Sequence, residues 1–422
     1  MTRSFTTALL VFAVASPALA EHKLNGWVKV GAEVRGRAEG YTGLGYVPGN
    51  DDAYYLSRVR LNLSFEPLRR LKFFFQGQDS RAPGYRDRAP STVVNPFDLR
   101  QAYLEIGETG KPGWTLRVGR QELSFGEERL VGPSNWTNVA RTFDAARLSH
   151  AGPGVHLDWF TSAVVQPDRD RFDRPRTAGK FHGFYSSFDR LIQGSSVEPY
   201  FFVRTATRVR GERGDFADLD IYTAGIRAAG RLPRRFDYSV EIAFQSGRSA
   251  SDRVGAWAGH WLGGYRPWRH ATAPRLVAEY NYASGDARPG DGRRGTFDQL
   301  FPTNHTKYGI ADRIGWRNIR DTMAGVEWKP AAKWKVNLDY HSFGLASRRD
   351  GLYNASGTLT VLNPTAKESH VGDELDLQVS CRINAAASLG FGYGHLFPGA
   401  YLKESTRGSG VRFPYAFWEY RF

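Results

Sequence analysis

Apolar and polar residues alternate along most of this chain, with a period of two. In 27–37, Val28, Val30, Ala32 and Val34 share one face, against Lys29, Glu33, Arg35 and Arg37 on the other. In 55–66, Val59, Leu61, Leu63 and Phe65 oppose Arg58, Arg60, Asn62 and Ser64. The same alternation returns at 236–245, 334–342 and 374–382, and it closes the chain, where Trp418, Tyr420 and Phe422 oppose Glu419 and Arg421. Period two is the signature of a strand with two unlike faces. No long stretch keeps a helical period with caps at its ends.

Connections between these segments alternate in length. Short, basic, proline-containing ones lie at 66–70, 230–235 and 329–333. Long polar ones cover about 38–52, 82–96, 122–137, 165–178, 285–316 and 345–371. Short turns on one side and long loops on the other form the pattern of an outer-membrane barrel, and the count of segments predicts about 18 strands. A barrel that wide cannot fill its interior with strand side chains, so its charged face belongs inside, around water. The apolar face then meets lipid. The expected fold is therefore an all-β transmembrane antiparallel β-barrel, with short periplasmic turns and long extracellular loops. An aromatic strand ending in phenylalanine is the signal expected to engage the bacterial barrel-assembly machinery.

The N-terminus sets the compartment. Arg3, an apolar run and the small-residue site Ala18-Leu19-Ala20 read as a signal peptide over 1–20, leaving 21–422 as one barrel. The expected location is the cell outer membrane of a Gram-negative-type bacterium. A single cysteine, Cys381, excludes an intrachain disulfide framework. No run approaches the length of a transmembrane helix. Lys+Arg number 57 against 43 Asp+Glu, a formal charge of +14. In an envelope protein this balance reads as a field for an anionic solute or for outer-membrane lipid headgroups rather than for nucleic acid.

Candidate chemistry sits on the charged face and in two loops. Lys29, Arg35, Arg58, Arg60 and Arg117, joined by Arg227 and Lys335, are the strand cations on the expected lumen face, and the last five of these are expected to line the pore. The stretch 116–148 breaks its alternation at Gly119-Arg120, then carries Arg129, Arg141 and Asp144, with Glu122, Glu127 and Glu128 close by. Read alone, it is a surface loop or a constriction folded inward. The stretch 284–312, with Asp286, Asp291, Asp298 and Asp312, reads as a polar extracellular loop, because its spacing fits no calcium motif. His341-Ser342 beside Asp339 lacks any nucleophile elbow, so no catalytic residue, cofactor or metal site is expected. Two other classes stay on the page: an outer-membrane hydrolase and a secreted β-structured binding protein.

The motifs "GRQELSFGEERLVGPSNWTNVARTFDAARL" and "SGD…DG…GTFDQLFPTNHTKYG.AD" resemble those of the alginate export family of outer-membrane proteins. That resemblance spans nearly the whole mature chain. It implies a barrel with an electropositive pore for an anionic sugar chain, alginate or another polyuronate, with Arg120, Arg129, Arg141 and Asp144 in its constriction. The alternative is a general anion-preferring porin for small solutes.

Overall fold

The computed structural model describes residues 22–108 and 110–422. The stretch 1–20, read from the sequence as a signal peptide, lies outside the described residues. Eighteen strands form the wall. They are β1 (Val28–Tyr41), β2 (Asp52–Leu68), β3 (Leu71–Arg81), β4 (Asn95–Ile106), β5 (Gly113–Gln121) and β6 (Phe143–Gly152). They continue with β7 (Val155–Gln166), β8 (Gly179–Ile192), β9 (Ser195–Arg210), β10 (Phe216–Leu232), β11 (Phe236–Ser249) and β12 (Asp252–Tyr265). The last six are β13 (Arg275–Ala283), β14 (Ile319–Trp328), β15 (Trp334–Leu345), β16 (His370–Arg382), β17 (Ala387–Pro398) and β18 (Val411–Arg421).

Each strand pairs antiparallel with the next, and β18 returns to β1 through Glu33↔Arg421 to Glu39↔Tyr415. Closure leaves no edge, which a lipid-facing sheet requires. The predicted faces hold. Leu61, Leu63, Leu338, Leu375, Trp418, Tyr420 and Phe422 are exposed on the outside, while Arg58, Arg60, Ser64, Glu241 and Glu374 are buried inside. The closing strand thus presents its aromatic row outward, and the start of β1 and the end of β18 lie at the end with the short turns.

The length rule has two exceptions. The β11–β12 hairpin turns in two residues at the long-loop end, and the β12–β13 connection spans 266–274 at the short-turn end.

The interior departs further from expectation. Its extracellular half is filled, and the filling is apolar. The loop 122–142 brings Leu123, Phe125, Leu130 and Val131 inward, and the loop 284–318 brings Phe297, Leu300, Tyr308, Ile310, Ile314 and Trp316. They pack on the inward rings Phe160, Phe181, Tyr185, Tyr200, Phe202, Phe343 and Phe413. The second loop is therefore a plug component, not the polar extracellular loop its acids suggested. Those acids are engaged locally: Asp298 pairs with Arg204, Asp312 with His305, and Asp286 accepts from the amides of Arg288 and Gly295. The physical reason is burial. Side chains this apolar gain more from packing on the aromatic wall than from staying in water.

The two loops are joined to each other. Val131 and Phe301 form a parallel bridge, with Gly132 N donating to Phe301 O and Phe301 N to Leu130 O. A Cβ at Gly132 would lie 2.3 Å from Thr303 Oγ1, so only glycine permits this approach.

Candidate functional site

Beneath the plug the lumen is charged, and cross-strand register explains how. On β1, β2 and β18, Glu33 faces Arg60 and Arg421, while Arg35 faces Arg58 and Glu419. Two arginines directly opposite each other would repel. The first plug loop resolves this. Arg35 donates to the carbonyls of Asn135 (2.9 Å), Trp136 and Thr137 (both 3.2 Å), and Arg58 donates to Asn135 O (2.9 Å) and to Glu33 (2.6 Å). Arg60 reaches Gln78 and the Asn135 side chain, and Arg100 reaches Gln76 and Glu122. The arginine wall is thus also the loop's anchor.

Trp136 completes the anchor. The Arg37 guanidinium lies 3.7 Å from its ring centroid, and the His305 ring stacks on it with centroids 3.7 Å apart and planes 3° apart. Strand β1, the first loop and the second loop are clamped in one sandwich.

A second row crosses the opposite wall: Glu198, Arg227, Glu241, His260, Asn281 and Asp321 are successive cross-strand partners on β9 to β14. Arg129 of the first loop lands on this row. It donates to Glu279 (2.9 Å), Asn281 (3.3 Å) and Tyr308 (3.1 Å) and contacts His260 (3.2 Å). Glu127 beside it accepts from Arg227 (2.8 Å) and Ser239 (2.6 Å). Burial opposes ionisation of Glu127, but the Arg227 and Arg129 guanidinium groups outweigh it and hold its carboxyl well below the usual range.

Two cavities, of about 470 and 450 Å³, lie along these walls. The second is lined by eight cationic side chains, Arg35, Arg37, Arg58, Arg60, Arg100, Lys307, Lys335 and Arg421, against four carboxylates, Glu33, Glu122, Glu128 and Glu419. The first has eight cations against six carboxylates and reaches the short-turn end at Gly194, Arg266 and Lys329. Both are bordered by Glu128, Thr306, Lys307 and Lys335, so they meet at two lysines. Lys307 makes no ion pair among the described residues. Burial, and then the neighbouring Arg129 charge, lower the pKa of its ammonium group. A negative group beside it would stabilise the charged form.

The predicted site residues separate accordingly. Arg58, Arg60 and Lys335 line the second cavity, and Arg129, Arg227 and again Lys335 line the first. Arg117 points inward but pairs with Glu105 and borders a separate small cavity. Arg141 is half-buried in the plug, donating to the carbonyls of Gly132, Phe301 and Pro302, and desolvation lowers its pKa to about 10.

Arg120 and Asp144 do not join the lumen. They are cross-strand partners paired at 2.8 Å on the face that Leu116 and Val118 present outward. Strand β5 runs on through Gly119, whose φ is +126°, so the alternation does not end there and Arg120 falls on the opposite face from Arg117. Arg37, Arg100, Lys307 and Arg421 also line the second cavity, and the sequence reading left them out of the site.

The family model described as alginate export matches residues 26–415. No curated protein matches the chain significantly. Among solved structures the chain is similar to OpdO of Pseudomonas aeruginosa, with TM-score 0.63 and 11% identity over 94% of this chain and 97% of that one. It is also similar to OccK5 (OpdH) of the same organism, with TM-score 0.62 and 10% identity over 94% and 98%. OccK8 (OprE), again from that organism, gives TM-score 0.61 and 11% identity over 94% and 99%. At such identities the likeness shows the shared barrel fold and nothing finer.

Proposed function

The chain belongs to the alginate export family, and from that premise we propose that it is an outer-membrane channel whose lumen passes an anionic, carboxylate-bearing saccharide such as alginate or another polyuronate. The family and the porin-like barrel support a channel rather than an enzyme. The observation that carries the finer reading is the junction of the two cavities at Lys307 and Lys335, with a cationic surplus on both sides. Arginine pairs a carboxylate in a two-pronged geometry and keeps its charge at any relevant pH. A unit charge pair about 4 Å apart is worth roughly 4 kcal/mol at an effective dielectric of 20. Several moderate sites in series draw an anion through without trapping it. Most of the arginines already hold a carboxylate or a plug carbonyl, which keeps each site moderate.

The test is selectivity in planar bilayers. The double variant K307E/K335E changes the charge at the junction by four units. The wild type should prefer anions in its reversal potential across a KCl gradient, and polyuronate should block its current. The variant should shift toward cations and lose the block while the barrel still assembles, because lumen positions tune selectivity more than stability. A wild type that prefers cations, or a variant with an unchanged reversal potential, would refute the anionic reading.

A further inference from the structure

The outer wall carries a charge arrangement that the lumen does not explain. At the extracellular end, β11 and β12 meet through Ala250 and Ser251. Register sets Arg248 directly opposite Arg253, and the short segment Arg293–Arg294, added in parallel beside β12, sets Arg293 next to Arg253. Ser249, Asp252 and Val254 are buried inward, so these three arginines stand on the outward face, where all are exposed.

Like charges directly opposite in a ladder are destabilising. Inside the barrel the equivalent pair, Arg35 and Arg58, is bridged by loop carbonyls and Glu33. Outside there is no bridge. Among the described residues, none of the three guanidinium groups makes a hydrogen bond or an ion pair. Asp220, the acid in the same row opposite Arg248, makes none either. Other exposed arginines do find carboxylates: Arg81 with Asp79 at 2.7 Å, Arg88 with Asp170 at 2.6 Å.

The level of this row in the membrane identifies what can bridge it. Four residues down β11 and β12 lies an outward aromatic row. Phe244, 60% exposed, stands opposite Trp257, which packs on Tyr282 with centroids 4.4 Å apart. Four residues span about 13 Å of strand, which is roughly 10 Å of height at a tilt of about 40°. Aromatic belts mark the membrane–water interface. The arginines therefore stand just beyond it, at the depth of the headgroups.

We infer that Arg248, Arg253 and Arg293 form a docking surface for the phosphate groups of the phosphorylated glycolipid of the outer leaflet. Each guanidinium offers a planar fork that matches a phosphate. An anion shared among the three removes the repulsion that the ladder builds in.

The test compares the full-length protein in phosphatidylcholine vesicles containing bisphosphorylated lipid A with the same vesicles containing dephosphorylated lipid A. The readout is the midpoint of the heat-modifiable mobility transition. The wild-type midpoint should be higher with the bisphosphorylated lipid. R248Q/R253Q/R293Q should lose more than half of that difference, and the single variant R253Q part of it. The control R88Q/R348Q, which removes two loop arginines, should keep it. Equal midpoints for the wild type in the two vesicle types would overturn the proposal. So would an undiminished difference in the triple or single variant, or inorganic phosphate alone reproducing the rise.

Discussion

Replacing Trp136 by alanine should loosen the plug and enlarge the pore. In the folded barrel the indole touches Arg37 on one face and His305 on the other, and Tyr415 meets its edge at 4.8 Å. A cation–π contact is worth about 0.5–2 kcal/mol from exposed to desolvated settings, and each ring pair about 0.5–1.5 kcal/mol. Together the substitution removes about 2–4 kcal/mol of docking energy. The bonds from Arg35 and Arg58 to the carbonyls of 135–137 survive, so the loop still has a preferred seat. Since about 1.4 kcal/mol is a factor of ten, the undocked fraction should rise roughly 30- to 1,000-fold. Single-channel recording reads this directly, as frequent excursions to a larger conductance that are rare in the wild type. Trp136→Phe keeps part of the stack and should fall between the two. If Trp136→Ala matches the wild type in conductance and in open-channel noise, the sandwich is not what holds the plug.

Two further outcomes follow from the wall and the rim. Val240 faces lipid and Ser239 faces the lumen beside Glu127, so Val240→Arg should cost about 2–4 kcal/mol near the midplane; folding into liposomes should suffer far more than with Ser239→Arg, and equal losses would reject the register. In the extracellular loop 211–215, burial raises the Glu212 carboxyl to about 7, with Asp286 and Asp252 adding to the rise and the Gly290 amide opposing it. A raised carboxyl pKa stabilises the fold most at low pH and loses that contribution as pH climbs from the ordinary glutamate value through about 7; amide exchange at 286–292 should therefore quicken over that window, and Glu212→Gln should remove the dependence.

The wall was legible because one residue in two must satisfy lipid and the next must satisfy the lumen. That rule alone places Arg58, Arg60, Arg227 and Lys335 inside, and it exposes Trp418, Tyr420 and Phe422. Applied strictly, it also answers for Arg120: residues 117 and 120 are an odd number apart and cannot share a face of one strand. Gly119 does not end the strand: with φ at +126° it stays in the ladder, and Arg120 pairs on beyond it. The plug was harder to read, because its position depends on contacts such as Val131 with Phe301, which no local pattern encodes. A signal was nevertheless present. Phe297, Leu300, Tyr308, Ile310, Ile314 and Trp316 crowd one nominally polar loop, and so much apolar surface does not remain in water. Besides its near neighbour Glu127, Arg129 meets partners 131 to 179 positions away along the chain, which only the closed barrel brings to it.

The cork and the cask are one chain, and the cork comes from two places far apart along it. The bridge between Val131 and Phe301 cannot form until the strands flanking both loops are in position. Closure of the ring at Glu33 and Arg421 needs the last residues of all. A ring that closed before its stopper was seated would leave an open hole in the membrane until both loops docked. The arginines of β1 and β2 favour seating, because they offer the arriving loop a row of donors for its carbonyls at 135–137. Variants that slow seating should therefore make the cell leaky while the protein is being made, even where the finished channel conducts normally.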